Sequence, residues 1–344
     1  MAKKNDPLTL LKIDRRQAIR MASDVGAGRT LKVLRLAQAE LNRRLKKIDP
    51  GGRDGTFTAT QMRTTLAQLR VAIASVNGGI RETVLDVGNK TAERAVQHML
   101  EYVHRADQKF TGVGQRLAIR EARMLDRASR GTESSMLNRL QGDPNKGPGI
   151  LQRYGDRVIG RFEERLQIRF LAKTPWADVR NELVAESPFL EEAPGYWAER
   201  IVRTEVMNAH NAAQWEGLRA VNQEVGGGML KILSATFDSR TAADSYAVHG
   251  QIRRPHEAFE TWYGFMQHPP ARPNDREVVV PHSMDWPLPS ELEQLSDSEV
   301  ATRWAEEGRK KAMPPRPLMT TVPLERIGVP PSSAPDVDSD DESA

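Results

Sequence analysis

Eight apolar residues, Met62, Leu66, Leu69, Ile73, Val76, Ile80, Val84 and Val87, follow one another at spacings of 4, 3, 4, 3, 4, 4 and 3. An α-helix turns once in 3.6 residues, so this spacing puts all of them on one face; the period-two geometry of a strand would scatter them. The pattern is close to a heptad stripe sustained over about three and a half heptads. A stripe of that length has to be covered. A neighbouring helix of the same chain is the default cover, and a second protein is the sharper alternative. Gly78-Gly79 lies inside the stripe and predicts a weak point or bend.

The flanking sequence is also helical. In residues 8–48, Leu31, Leu34, Leu41, Leu45 and Ile48 share one face and Lys and Arg the other. Asp49-Pro50-Gly51-Gly52 is a stop signal. Val96, Met99 and Val103, then Leu117, Met124 and Ala128, continue helical character through residues 89–140, broken at Thr111-Gly112-Val113-Gly114. The segment from Gly142 to Gly149 is a loop by composition and the candidate boundary between two halves.

The second half opens with a helix whose apolar face is Leu151, Val158, Ile159, Phe162, Leu166 and Phe170. Thr174-Pro175 predicts the start of a short helix, with Thr as cap and Pro in the first turn. A longer helix runs from Ala193-Pro194-Gly195 to Gln223 and ends at Gly226-Gly227-Gly228. The period then changes: Leu230–Phe237 and Val278–Val280 read as strands. The turn-rich stretch between them is expected to be ordered by packing rather than by regular structure. From Pro314 onward proline is dense and apolar periodicity is gone. The expected fold is therefore mainly α with a small α+β C-terminal domain. It comprises a helical domain at 1–141, able to depend on a partner, and helices with a short antiparallel sheet at 150–285. An extension at 286–344 adds a helix near 290–312 and a Pro-rich, acidic, disordered tail.

Composition narrows the function classes. The chain has 344 residues and no cysteine, which excludes disulfides and cysteine-ligated metal sites. No apolar run approaches the roughly 20 residues of a membrane helix, and Met1–Asp14 has no apolar core region or cleavage site of a signal peptide. Residues 1–49 hold 13 Lys and Arg against 5 Asp and Glu, a net of +8, whereas the tail after Pro335 is acidic. A basic end attracts a phosphate backbone through counterion release. Arg15, Arg16, Arg43, Arg44, Lys46 and Lys47 are the candidate DNA contacts, and a solvated helix face is the plainer reading.

Five of the seven histidines, His210, His249, His256, His268 and His282, fall in the back half, with Asp238, Asp244 and Asp275 as further oxygen ligands. Their spacing matches no standard zinc pattern. Ser234, His249 and Asp238 assemble a triad on paper, but no serine has nucleophile-elbow surroundings. No phosphate-binding glycine loop is present, and no cofactor, metal or catalytic residue is assigned. Arg203-Thr204-Glu205 sits in a small-residue helix with Asn208, Ala209, Asn211, Ala212 and Ala213. Arg203 and Glu205 are two apart, so they face different ways. They are either surface charge or an ion network tying this helix to Asp238 and Arg240.

Three segments in this order resemble the phage head morphogenesis family, the minor head proteins similar to the F protein of phage Mu. The first is Ala198–Glu205, in which Arg203, Thr204 and Glu205 match the R-T-E motif ahead of an Asn/Ala-rich helix containing Asn208. The second is Asp238-Ser239-Arg240-Thr241 with His249-Gly250, similar to D-x-R-T followed by H-G. The third is Pro269–Arg276, similar to P-P-x-H-P-N-C-R-C, through Pro270, Pro273, Asn274, Asp275 and Arg276. The likeness spans residues 150–282. Many members carry paired cysteines where this chain has Ala242, Ser245, Asp275 and Glu277, and a histidine where it has Arg272. If those cysteines bind zinc in some members, that site is lost here, and hydrogen bonds and ion pairs from Asp275, Arg276 and Glu277 must hold the same core.

The resemblance implies a non-enzymatic, low-copy structural protein in the virion head, in the capsid interior or at the portal vertex. It implies assembly in the bacterial host cytoplasm with portal, major capsid or scaffolding protein as partners, double-stranded DNA as a further one, an oligomeric or assembled state, and no membrane. A metal-dependent hydrolase built on the His/Asp-rich back half and a stand-alone DNA-binding protein are the alternatives.

Overall fold

The computed structural model describes residues 7–48, 55–110, 121–143, 147–186, 189 and 192–306. In chain order the elements are α1 (Pro7–Arg20), a π-helical turn (Met21–Gly26), α2 (Ala27–Leu45), α3 (Ala59–Phe110), α4 (Glu121–Gln141), β1 (Gly142–Asp143), β2 (Gly147–Pro148), α5 (Ile150–Leu171), α6 (Trp176–Glu186) and α7 (Glu192–Glu224). They continue with β3 (Met229–Ser234), α8 (Ala243–Val248), β4 (Ile252–Arg253), β5 (Phe259–Thr261), β6 (Gly264–Met266), β7 (Val278–Ser283), a 3-10 turn (Ser290–Leu292) and α9 (Asp297–Glu306). The chain is mainly helical with short antiparallel sheets, the fold class expected from its periodicities. Among the described residues no helix is long and apolar enough to cross a membrane.

Packing divides the chain into two units that do not follow covalent order. One is Gln17–Ala92 with Ser129–His210; the other is Met1–Arg16, Glu93–Ala128 and Asn211–Ala344.

The first unit is helical. Leu66, Leu69, Ile73, Val76, Ile80, Val84 and Val87 of the α3 stripe are all buried within the chain, as are Leu34, Leu41 and Leu45 of α2 and Val158, Phe162 and Leu166 of α5. Helix α3 runs through Gly78-Gly79 without interruption. The expected weak point is instead a packing position. A Cβ on Gly79 would lie 2.6 Å from Val33 Cγ1 of α2, so the glycine lets the two helices approach. A Cβ on Gly155 of α5 would likewise meet Ile73 Cγ2 at 2.9 Å. The start of α3 is closed by a reciprocal cap, in which Thr58 N donates to Gln61 Oε1 at 2.8 Å and Gln61 N to Thr58 Oγ1 at 3.2 Å. Helix α6 begins at Trp176 rather than at Pro175. The Phe57 amide donates to the Thr174 carbonyl (2.9 Å) and the Trp176 amide to Gly55 (2.8 Å), while the Phe57 and Trp176 rings stack at 5.6 Å.

The second unit holds the sheet, in the order β4-β3-β7 and antiparallel throughout. Ile232 pairs with Val280 and with Ile252, and every residue of β3 and β7 is buried. Gly226, Gly227 and Gly228 all have positive φ, a conformation open to glycine at little cost, and turn the chain from α7 into β3. Strand β3 stops at Ser234, short of the expected Phe237. The Ala235 amide donates to His249 Nδ1 (3.1 Å) and its carbonyl accepts from Arg15 Nη1 (2.7 Å), so its ladder groups are already used. Two more differences lie in the stretch expected to be irregular: β4 joins the sheet, and β5 and β6 form a hairpin. The outer edge of β7 is closed by one side chain. Asn211 of α7 donates to the Glu277 carbonyl (2.9 Å) and accepts from the Val279 amide (3.0 Å), as a neighbouring strand would. Of the helix expected near 290–312, the described part is α9 at Asp297–Glu306, capped by Ser296 and Glu299; residues 307–312 lie outside the described residues. The expected breaks at Asp49–Gly52 and Thr111–Gly114, Leu117, the side chains of Met124 and Ala128, and the Pro-rich tail lie outside the described residues.

Candidate functional site

Strand β3 delivers the chain to Asp238-Ser239-Arg240-Thr241, which folds as a side-chain-bonded turn. Asp238 Oδ1 accepts from the Arg240 amide at 2.8 Å, and the Asp238 amide donates to Thr241 Oγ1 at 3.1 Å. Thr241 Oγ1 also donates to the Thr236 carbonyl. Short polar residues suit such a turn because their side chains replace the missing backbone partners. The turn presents the Asp238 carboxylate to Arg276, which holds it through both terminal nitrogens at 2.5 and 2.6 Å. The hydrogen bonds from Arg276 hold the Asp238 carboxyl well below the usual range. Thr236 Oγ1 donates to the Arg276 carbonyl at 3.0 Å, a second tie between the same segments. The Arg240 side chain is exposed and approaches Asp238 only at 3.9 Å.

A second cross-link lies beside the first. Arg272 pairs with Asp244 on α8: its Nη2 donates to Oδ1 at 2.8 Å and to Ser245 Oγ at 3.1 Å, and its Nε stands 2.7 Å from Oδ2 as an ion-pair contact. Asp275 Oδ2 accepts from the Ala271 and Arg272 amides at 3.0 and 2.9 Å, closing the Arg272–Asp275 turn, in which Asn274 has φ 66°. The Tyr263 hydroxyl of the β5–β6 turn donates to Asp244 Oδ2 at 2.7 Å. Glu277 is buried behind these groups. Burial first, then the Asp275 carboxylate, pushes its pKa up to about 8, so Glu277 is mostly protonated at neutral pH. Burial likewise raises Asp275 to about 6.

Ala242, Ser245, Asp275 and Glu277, which the sequence singled out together, line one cavity of about 20 Å³. That is space for about one water molecule and far below the several hundred Å³ of a substrate pocket. The arrangement is a knot of ion pairs joining α8, the β3 exit and the approach to β7.

His249 serves the same framework. Its Nδ1 accepts from the Ala235 amide and its ring bonds the Glu291 backbone. Burial, with the Arg15 charge adding to it, lowers its pKa to about 4, so the ring is neutral. Phe237 packs edge-on against it at 4.6 Å. Gly250 has φ +78°, and a Cβ there would meet Gln294 N at 2.5 Å. The triad drawn on paper does not form, since His249 bonds backbone and Asp238 is held by Arg276. Among the described residues no group of three His, Asp or Glu side chains is placed to hold a metal.

Arg203, Thr204, Glu205 and Asn208 lie on the part of α7 that belongs to the helical unit. The expected link from Arg203 or Glu205 to Asp238 or Arg240 is corrected by the partners each one takes. Arg203 bonds Glu199 one turn away. Glu205, fully buried, accepts from Arg139 Nε at 3.0 Å and Nη2 at 3.0 Å. Burial raises the Glu205 pKa and Arg139 opposes it. Thr204 Oγ1 donates back to the Arg200 carbonyl at 2.7 Å, and Asn208 is buried. Pro270 follows Pro269 through a cis bond, and Pro273 precedes the Asn274 turn.

Of the candidate DNA contacts, Arg15 is half-buried with its guanidinium committed to Ala235, and burial lowers its pKa. Arg16, Arg43, Lys46 and Lys47 are exposed and Arg44 is half-exposed. Sequence reasoning missed Arg139 and the strand-like role of Asn211, for which no local pattern exists. It passed Arg272 as a departure from a motif, and that departure was the available signal. No family model, curated protein or solved structure matches the chain.

Proposed function

We propose that the chain is a minor structural and assembly protein of a tailed-phage head, acting at or near the portal vertex in capsid assembly and genome packaging or delivery. The observation that carries this reading is the convergence of the resembling segments of the sheet-bearing unit. Asp238 bonds Arg276 across 38 positions, Arg272 bonds Asp244 across 28, and the positions of the family's cysteines surround one cavity. This is what the resemblance requires of a chain whose core is held by ion pairs instead of metal. Bonds of this kind fix geometry more than they add stability, which suits a part that has to present a defined surface to portal, capsid or scaffolding protein. The role is structural rather than catalytic, and the engagement of His249 with backbone weighs against the hydrolase reading.

Quantitative mass spectrometry of purified full heads and of empty proheads tests it. The expected result is this chain in both, at low copy relative to the major capsid protein. Absence from both overturns the proposal.

A further inference from the structure

The helical unit carries an open cleft of about 630 Å³ between the last turn of α2 and the first turns of α3, within the size range of ligand sites. Its wall is basic and polar. Arg43, Arg44 and Lys47 come from the end of α2 and the residues just after it, and Thr60, Thr64 and Gln68 from the start of α3. Arg43 and Arg44 share one carboxylate, Glu40: Arg43 bonds it through Nε and Nη2 at 2.7 and 2.6 Å, and Arg44 through Nε at 2.7 Å. Arg44 Nη1 also donates to Gln68 Oε1 at 3.1 Å, so this wall is held in place. Among the described residues Lys47 has no carboxylate partner. Among the described residues this wall sets three cations against one shared carboxylate, a net positive charge. The Thr58–Gln61 cap fixes the other wall.

We infer that this cleft binds the phosphodiester backbone of double-stranded DNA without regard to sequence. Guanidinium and ammonium groups with threonine hydroxyls and a glutamine amide are the donors that phosphate oxygens and sugars accept from. Among the described residues the wall contains no aromatic side chain on which an unstacked base could sit, which favours a duplex over a single strand. The excess of basic residues in 1–49 adds a long-range attraction toward the same polyanion. The site stands apart from the head-protein proposal, because binding in solution requires no virion.

Lys46 and Lys47 are adjacent, equally charged and exposed, but only Lys47 lines the cleft. The test is fluorescence anisotropy of a short labelled duplex titrated with the full chain across a salt series, for wild type, Lys47→Gln and Lys46→Gln. One lost phosphate contact lowers the salt slope by about 0.9, which at about 0.1 M salt is about eightfold in affinity. Lys47→Gln is expected to show that loss with an unchanged melting curve, and Lys46→Gln to stay within about twofold of wild type. Equal losses in the two variants, or no binding of the duplex by wild type, overturn the site. A mononucleotide that displaces the duplex at equal concentration overturns the DNA assignment in favour of a small phosphate ester.

Discussion

Glu277→Gln isolates the buried charge knot with the least change in shape. In the folded chain the Glu277 pKa is pushed up to about 8, because burial and then the Asp275 carboxylate disfavour its charged form; the ordinary value is 4.5. Between those values the folded chain keeps a proton that the unfolded chain has released. A group of this kind contributes stability that is fully present below the unfolded pKa and is lost as pH rises through the folded one. Each pH unit inside the window is worth about 1.4 kcal/mol. Summed from about pH 6 to pH 8, where the folded proton is itself half released at the upper end, the loss is about 2 kcal/mol. Glutamine reproduces the shape of the protonated acid, keeps an oxygen for the Ser245 hydroxyl and does not titrate. Urea unfolding of both proteins at a series of pH values is the assay. The stability of Glu277→Gln minus that of wild type should rise with pH across this range, by about 2 kcal/mol in all. His249 and His282, lowered to about 4 by burial, contribute stability that is lost as pH falls below 6.5, and Lys231, lowered to about 7 by burial, contributes stability that grows as pH rises above about 7. All three are present in both proteins and cancel in the difference. The slope belongs jointly to Glu277 and Asp275, since removing one charge also eases the ionisation of the other. A difference that is flat or that falls with pH would refute the reasoning, because Glu277 would then be charged in the folded state.

Adjacent glycines on α3 should respond in opposite directions. Gly78 has open space where a Cβ would sit, so Gly78→Ala gains about 0.5–1 kcal/mol of helix propensity, whereas Gly79→Ala drives a methyl into Val33 and loses about 1–3 kcal/mol; thermal melts of the two variants check this. Arg139→Ala strands the fully buried Glu205 carboxylate and should cost about 3 kcal/mol at alkaline pH, less in acid where Glu205 takes up a proton. Arg203→Ala removes a half-exposed pair one helical turn long and should cost less than about 1 kcal/mol by denaturant titration. Equal losses for the two arginines would contradict the burial argument.

Much of this fold was legible in the residues, because helices and turns are specified over one or two turns of chain. The spacing of Met62 to Val87 placed α3, the three glycines at Gly226–Gly228 ended α7, and Leu230 and Val278 marked the central and edge strands. The D-x-R-T turn is local as well, since Asp238, Arg240 and Thr241 satisfy one another. The basic run ending at Lys47 was visible as charge, although not as a cleft. The partners of the buried charges could not be read in the same way. Arg139 and Glu205 lie 66 positions apart, Arg276 and Asp238 38, and any of 50 basic residues satisfied a simple rule of opposite charge. Likewise, the glycine at position 79 read as a flaw in a helix until Val33 stood beside it. An apolar stripe carries its own period and so announces its element. A carboxylate announces only its need for a donor once water is removed, and which donor reaches it is decided by the tertiary packing that removes the water.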